Sequence, residues 1–147
     1  RGHRTGSLME LMLGSVLPVL RSALGQLFLA HLPDHITIPQ VMGELEGAAT
    51  LPNLPEVPRN AAEIAKRNAE IREQGISRCR SGLLSDHTGL SVPVFDYRGK
   101  IVAGITVMAP LVGIDDDADG VIANDLRVTA QEISAEAGQN SIHYLDI

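Results

Sequence analysis

The chain has 147 residues, enough for one domain and too few for two that each bury a core. Apolar residues make up 44% and charged ones 20%, near the globular norm, which excludes wholesale disorder. Twelve Lys and Arg against eighteen Asp and Glu leave a net charge of −6, and the only aromatics are Phe28, Phe95, Tyr97 and Tyr144, so neither a phosphate-binding surface nor a base-stacking platform is available.

Partial alternation over residues 4 to 12 predicts a strand ahead of a Gly14-Ser15 turn. From Pro18 the period becomes helical through Leu20, Ala23, Leu24, Leu27, Phe28 and His31, and Pro33 stops the run. A second short helix follows Asp34, carried by Ile38, Val41, Met42 and Leu45, with Pro39 near its start and Gly47 at its end. Residues 47 to 58 hold Pro52, Pro55 and Pro58 and read as a surface connection. Asn60 and Glu63 then cap a helix whose face is Ile64, Ala65, Asn68 and Ile71 and whose exit is Gly75. Its pairs Glu63 with Arg67 and Lys66 with Glu70, four residues apart, read as a solvated face.

Strand-like residues 76 to 81 follow, then a loop over 82 to 89, and then a hairpin formed by residues 90 to 97 and 100 to 108 about the Arg98-Gly99 turn. Leu90, Val92 and Val94 share one side of the first arm. Both sides of the second arm are apolar or small, which predicts a strand covered on both faces. A run of acids leads into a last helix from Ala118 to Ala137, with Ile122, Leu126, Thr129 and Ile133 inward and Gly138 at its exit. Strand, helices, strands, helix is the order of an α+β domain with an antiparallel sheet between helices, and no βαβ unit carries a glycine-rich phosphate loop.

The single cysteine, Cys79, leaves no internal disulfide framework and no multi-cysteine zinc site, and fits a reducing compartment. The apolar stretch from Leu8 to Leu32 is broken by Glu10, Pro18, Arg21, Gln26 and His31, so it offers no bilayer span. The chain opens on Arg1 without a signal-peptide pattern and reads as a cytoplasmic fragment. Asp115, Asp117, Asp119 and Gly120 imitate the opening of a calcium loop, but Leu126 stands where the closing bidentate Glu belongs. The acids are therefore read as capping the helix that follows. His31 and His35 are four residues apart, yet Pro33 between them breaks the helix that would align them as metal ligands. No metal or cofactor is expected.

Cys79 and His87 have the chemistry of a nucleophile and its base, but no third member or oxyanion loop is recognisable. Arg78 and Arg80 alternate on a strand with Cys79 facing the other way, either as an exposed edge or as donors to a small carboxylate. Thr106 lies among small and apolar neighbours, so its hydroxyl needs a partner in the backbone or in a ligand.

Four segments in order carry a resemblance. Leu17-Pro18-Val19-Leu20-Arg21-Ser22-Ala23-Leu24-Gly25-Gln26-Leu27-Phe28-Leu29-Ala30 resembles the "LPLHATALGKALLA" signature of the IclR-type bacterial transcriptional regulators. Ile71 to Ile76 resembles that family's "IRxxGYA", Val92 to Asp96 its "APVFD", and Val102 to Pro110 its "VAALSVSGP", with Ile133-Ser134 similar to the "IS" near its end. The resemblance covers residues 5 to 138 and implies a GAF-like (profilin-like) effector-binding domain, a twisted antiparallel sheet flanked by helices.

The resemblance further implies a pocket for a small organic acid. Its wall would be Ser22, Ala23 and Leu24 from the motif helix, Cys79, His87 and Gly89 from the strand and loop, and Thr106 and Met108 from the later strand. Met108 stands where the family has a serine, which makes the pocket more apolar and favours a larger acid, aromatic ones included. Arg78 and Arg80 fall in a stretch that the family fills with acids. By the same resemblance residues 1–147 are an effector-binding domain incomplete at its N-terminal side. DNA would be read by a winged helix-turn-helix outside this chain, and the protein would form homodimers or homotetramers with no membrane partner. A small enzyme using Cys79 with His87 and a ligand-free GAF-like dimerisation module are the other readings.

Overall fold

The computed structural model describes residues 13–145, so the strand expected over residues 4 to 12 lies outside the described residues. The described chain runs α1 (Ala23–His31), α2 (Asp34–Glu46), α3 (Ala61–Gln74), β1 (Ser77–Arg80), β2 (His87–Phe95), β3 (Ile101–Pro110) and α4 (Val121–Leu145), with one 3-10 turn at Ala48–Thr50. The strands pair antiparallel in the order β1-β2-β3, with α1 on one face, α3 behind α1, and α4 on the other face. From the helices onward, the α+β order expected from the sequence is the one observed.

Helix α1 starts five residues later than Pro18 because Ser22 caps it. Its backbone is extended, its Oγ accepts the Gly25 N–H at 3.0 Å, and the same hydroxyl donates to the Pro18 carbonyl at 2.7 Å. The preceding turn is held from α2, whose Glu44 carboxylate accepts the Val19 N–H at 2.5 Å and the Leu20 N–H at 2.8 Å. Helix α2 runs through Pro39 and ends at Gly47, with Val41 buried and Ile38 and Met42 half-exposed, so the expected inward face is only partly inward.

Helix α3 begins and ends where its caps predict. Asn60 accepts the Glu63 N–H at 2.9 Å, Glu63 accepts the Arg59 N–H at 2.7 Å, and Gly75 takes the left-handed conformation, φ 68°, that closes the helix. The solvated face expected from Glu63–Arg67 does not form. Glu63 is used at the cap, and Arg67 turns inward to Gln26 Oε1 at 2.9 Å and to the Arg78 carbonyl. His31, at the last turn of α1, packs edge-on against Phe95 with ring centroids 5.3 Å apart; burial, helped by the Arg72 charge, lowers its pKa.

The hairpin is longer than predicted, since His87 to Gly89 join β2 and pair with Pro110 to Met108. Leu90, Val92 and Val94 face α4 and pack with Ile76, Ala123, Leu126 and Ala130. Ala123 and Ala130, rather than Thr129 and Ile133, form the inward stripe of α4; small side chains let the helix close on β2, and Ile133 is 42% exposed. That helix also starts at Val121 and runs past Gly138. The expectation that the second arm is covered on both faces fails. Among the described residues β3 is one of the two sheet edges, where only Ile101 is buried and Val102 is 55% exposed, because α1 and α4 each reach it from one side and cover it in part. No helix among the described residues is long and apolar enough to cross a membrane.

Candidate functional site

Antiparallel register places Cys79, Gly89 and Met108 side by side across the three strands, with Ser77, Ser91 and Thr106 as the next row. The N-terminus of α1 lies over these rows, and small residues allow the approach. A Cβ on Gly89 would stand 3.3 Å from Ala23 Cβ, and one on Gly104 would stand 2.6 Å from Leu24 Cδ1. Between helix and sheet is a cavity of about 200 Å³. Ser22, Ala23, Leu24, Cys79, Gly89, Thr106 and Met108 all line it, so the structure brings together every sequence-predicted site residue except His87. His87 lies outside the lining, and its Nδ1 is 2.8 Å from the Ser85 carbonyl oxygen.

Apolar side chains dominate the wall, with Leu17 and Leu83 added to Leu24 and Met108. The polar groups are few. Ser22 is already used as a cap, whereas the N–H groups of Ala23 and Leu24, at the first two helical positions, have no intrahelical acceptor and carry the positive end of the helix dipole. Thr106 Oγ1 meets Ser91 Oγ at 2.7 Å, so the partner that its hydroxyl needed is a side chain on the neighbouring strand rather than backbone. Thr106 is itself exposed, contrary to the covered position expected for it.

Cys79 is buried and its thiol donates weakly to the Arg21 carbonyl at 3.5 Å. Burial first, then the Glu56 carboxylate, push its pKa up to about 11, which keeps it a neutral thiol near pH 7. Its polar partners and those of His87 differ, so the geometry does not assemble the nucleophile and base considered from the sequence.

Two supporting features were missed in the sequence. Gln26, only 1% exposed, donates to the Leu20 carbonyl at 2.8 Å and the Glu56 carbonyl at 2.7 Å and accepts from Arg67, tying α1 to α3 and to the proline-rich segment beside the cavity. Asp116, also buried, is the partner of Arg80, whose guanidinium meets it with two bonds of 2.6 and 2.7 Å while Thr88 donates at 2.9 Å. Those bonds, Arg80 foremost, lower the carboxyl pKa to about 2. The acid run is thus no simple helix cap. Asp115 and Asp117 accept the N–H groups of Asp117 and Asp119 and build the turns before α4, and Asp116 anchors them to β1. Arg78 meets Glu56 at 2.7 Å, so neither arginine lies idle on an exposed edge.

The solved structures similar to this chain include HmgR from Pseudomonas aeruginosa, 32% identical with a TM-score of 0.76, where the match covers 87% of this chain and 48% of that one. The IclR protein of Thermotoga maritima is 22% identical, TM-score 0.63, with 82% and 47% covered. The inducer-binding domain of the PobR transcription factor from Acinetobacter, a double mutant in complex with 3-hydroxybenzoic acid, is 18% identical, TM-score 0.69, with 90% and 74% covered. The chain therefore spans about half the length of the first two and shares with all three the GAF-like arrangement of helices on an antiparallel sheet. No curated protein matches it. The family described as bacterial transcriptional regulator IclR C-terminal matches residues 4–135, and the chain belongs to that family.

Proposed function

We propose that this chain is the sensing domain of a transcriptional regulator and that its effector, a small organic acid, binds in the cavity beneath the N-terminus of α1. One observation carries the reading: seven residues drawn from three separate stretches of sequence line a single apolar cavity at the positive end of a helix. The PobR domain bound to 3-hydroxybenzoic acid supports an aromatic acid as a member of the effector class. Effector binding would bias a DNA-binding domain outside this chain through its different affinity for two arrangements of a homodimer or homotetramer. The high thiol pKa of Cys79 and its separate polar partners favour sensing over chemistry.

A thermal-unfolding series with benzoate, phenylacetate, 3-hydroxybenzoate and short aliphatic acids tests the reading. At about one hundred times its Kd a bound acid adds ~2.7 kcal/mol of stability, several degrees in Tm. A flat response to every acid at millimolar concentration contradicts it.

A further inference from the structure

Met108, Thr106 and Gly104 alternate onto one side of β3, the side turned to α1. Met108 and Thr106 line the cavity, and Gly104 does not. The place that a side chain at Gly104 would fill is taken by α1: an added Cβ would stand 2.6 Å from Leu24 Cδ1 and 3.1 Å from Leu27 Cδ2. Leu24 is thus the side chain at which the row of cavity residues ends. It is held there, because it also packs against the core cluster of Leu27, Ala30, Ile71 and Ile101. Next along the helix lies a second cavity of about 250 Å³, walled mainly by apolar side chains, Phe28, Leu32 and Ile36 among them. Phe28 and Leu32 follow Leu24 at four-residue steps on one face of α1, so the two cavities succeed one another along that face. Leu24 and Leu17 line both.

We propose that Leu24 is the specificity-determining residue of the first cavity, separating it from the second and so setting the length of the guest's apolar body; the assignment rests on the first cavity being the effector site. A guest that stops short of Leu24 gains burial with each methylene that it adds. One that reaches further must push Leu24 off Gly104 and out of its packing with the core cluster, so the added methylene brings a cost in place of a gain. At about 200 Å³ the first cavity is smaller than the roughly 300–1,000 Å³ of sites for drug-sized ligands, whereas the two opened to one another fall within that range. Leu24 therefore holds the guest to one ring or a short chain.

Calorimetric titration of the 147-residue chain with two homologous series, benzoate to 6-phenylhexanoate and acetate to octanoate, repeated with Leu24→Ala and Leu24→Ile, tests the assignment. In the unmutated chain affinity should rise about fourfold per methylene and then stop rising at one member of the series. Leu24→Ile, of equal volume, should keep the stop at that member, and Leu24→Ala, three carbons shorter, should move it about two to three methylenes further. A stop at the same member in Leu24→Ala, or no stop along either series in the unmutated chain, overturns the role of Leu24 and leaves the cavity as a site. Absence of binding by every member and by the acids of the thermal series removes the site and the role of Leu24 together. Should Leu24→Ala fail to fold, Leu24→Val decides: one carbon shorter, it should move the stop by about one methylene, and an unmoved stop overturns the role.

Discussion

Gly82 closes the loop behind the cavity: a Cβ there would stand 2.4 Å from both the Arg21 carbonyl oxygen and Cys79 Sγ. The first of these is backbone and cannot swing aside. Gly82→Ala should therefore cost about 1–3 kcal/mol, read as a lower urea midpoint with an unchanged slope. Gly89→Ala has only the Ala23 methyl at 3.3 Å to displace and should cost less. Which glycines face backbone and which face open space is decided by segments distant in sequence, so Gly82 looks like any loop glycine when the chain is read alone. The same holds for Arg21. Its position in the motif was plain, but that it alone among the described arginines lacks a partner emerges only once the others have found theirs. Ser22, Ala23 and Leu24 were legible only through the resemblance carried by their motif, and the structure places them at the helix start and in the cavity wall.

Among the elements, β1 is a short strand held from outside the sheet. Glu56 accepts the Arg80 N–H at 3.0 Å and Arg78 Nε at 2.7 Å, while Asp116 receives the Arg80 guanidinium, so two loops cover its free edge and outer face. Since the folded carboxyl of Asp116 lies near 2, below its ordinary value near 4, its contribution is complete above about pH 4 and is lost as pH falls toward 2. Asp116→Asn should cost roughly 1–3 kcal/mol at pH 7, and the gap between variant and unmutated chain should narrow over that acid window. A gap that stays constant down to pH 2 in urea titrations would count against the pair. Helix periods and caps made α1, α3 and the hairpin readable, with Asn60, Gly75 and Arg98-Gly99 as the marks. The burial of β3 and the inward face of α4 were misread, because apolar residues on both sides of a strand look alike whether an edge is covered fully or in part.

For the whole molecule, the acidic balance of −6 belongs to a chain whose arginines are occupied within the fold, Arg21 excepted among those described. Arg72, Arg80 and Arg98 nonetheless stay exposed, so it is the acidic balance itself that disfavours a polyanionic partner. The sheet lies between the cavity beneath α1 and the face packed on α4, so the start of α1 and α4 contact opposite faces of one three-stranded layer. A crystal structure of the chain with benzoate at saturating concentration tests the account most directly. The account predicts electron density between the start of α1 and the Cys79–Gly89–Met108 row. Density at another cavity, with this one empty of benzoate, would contradict it.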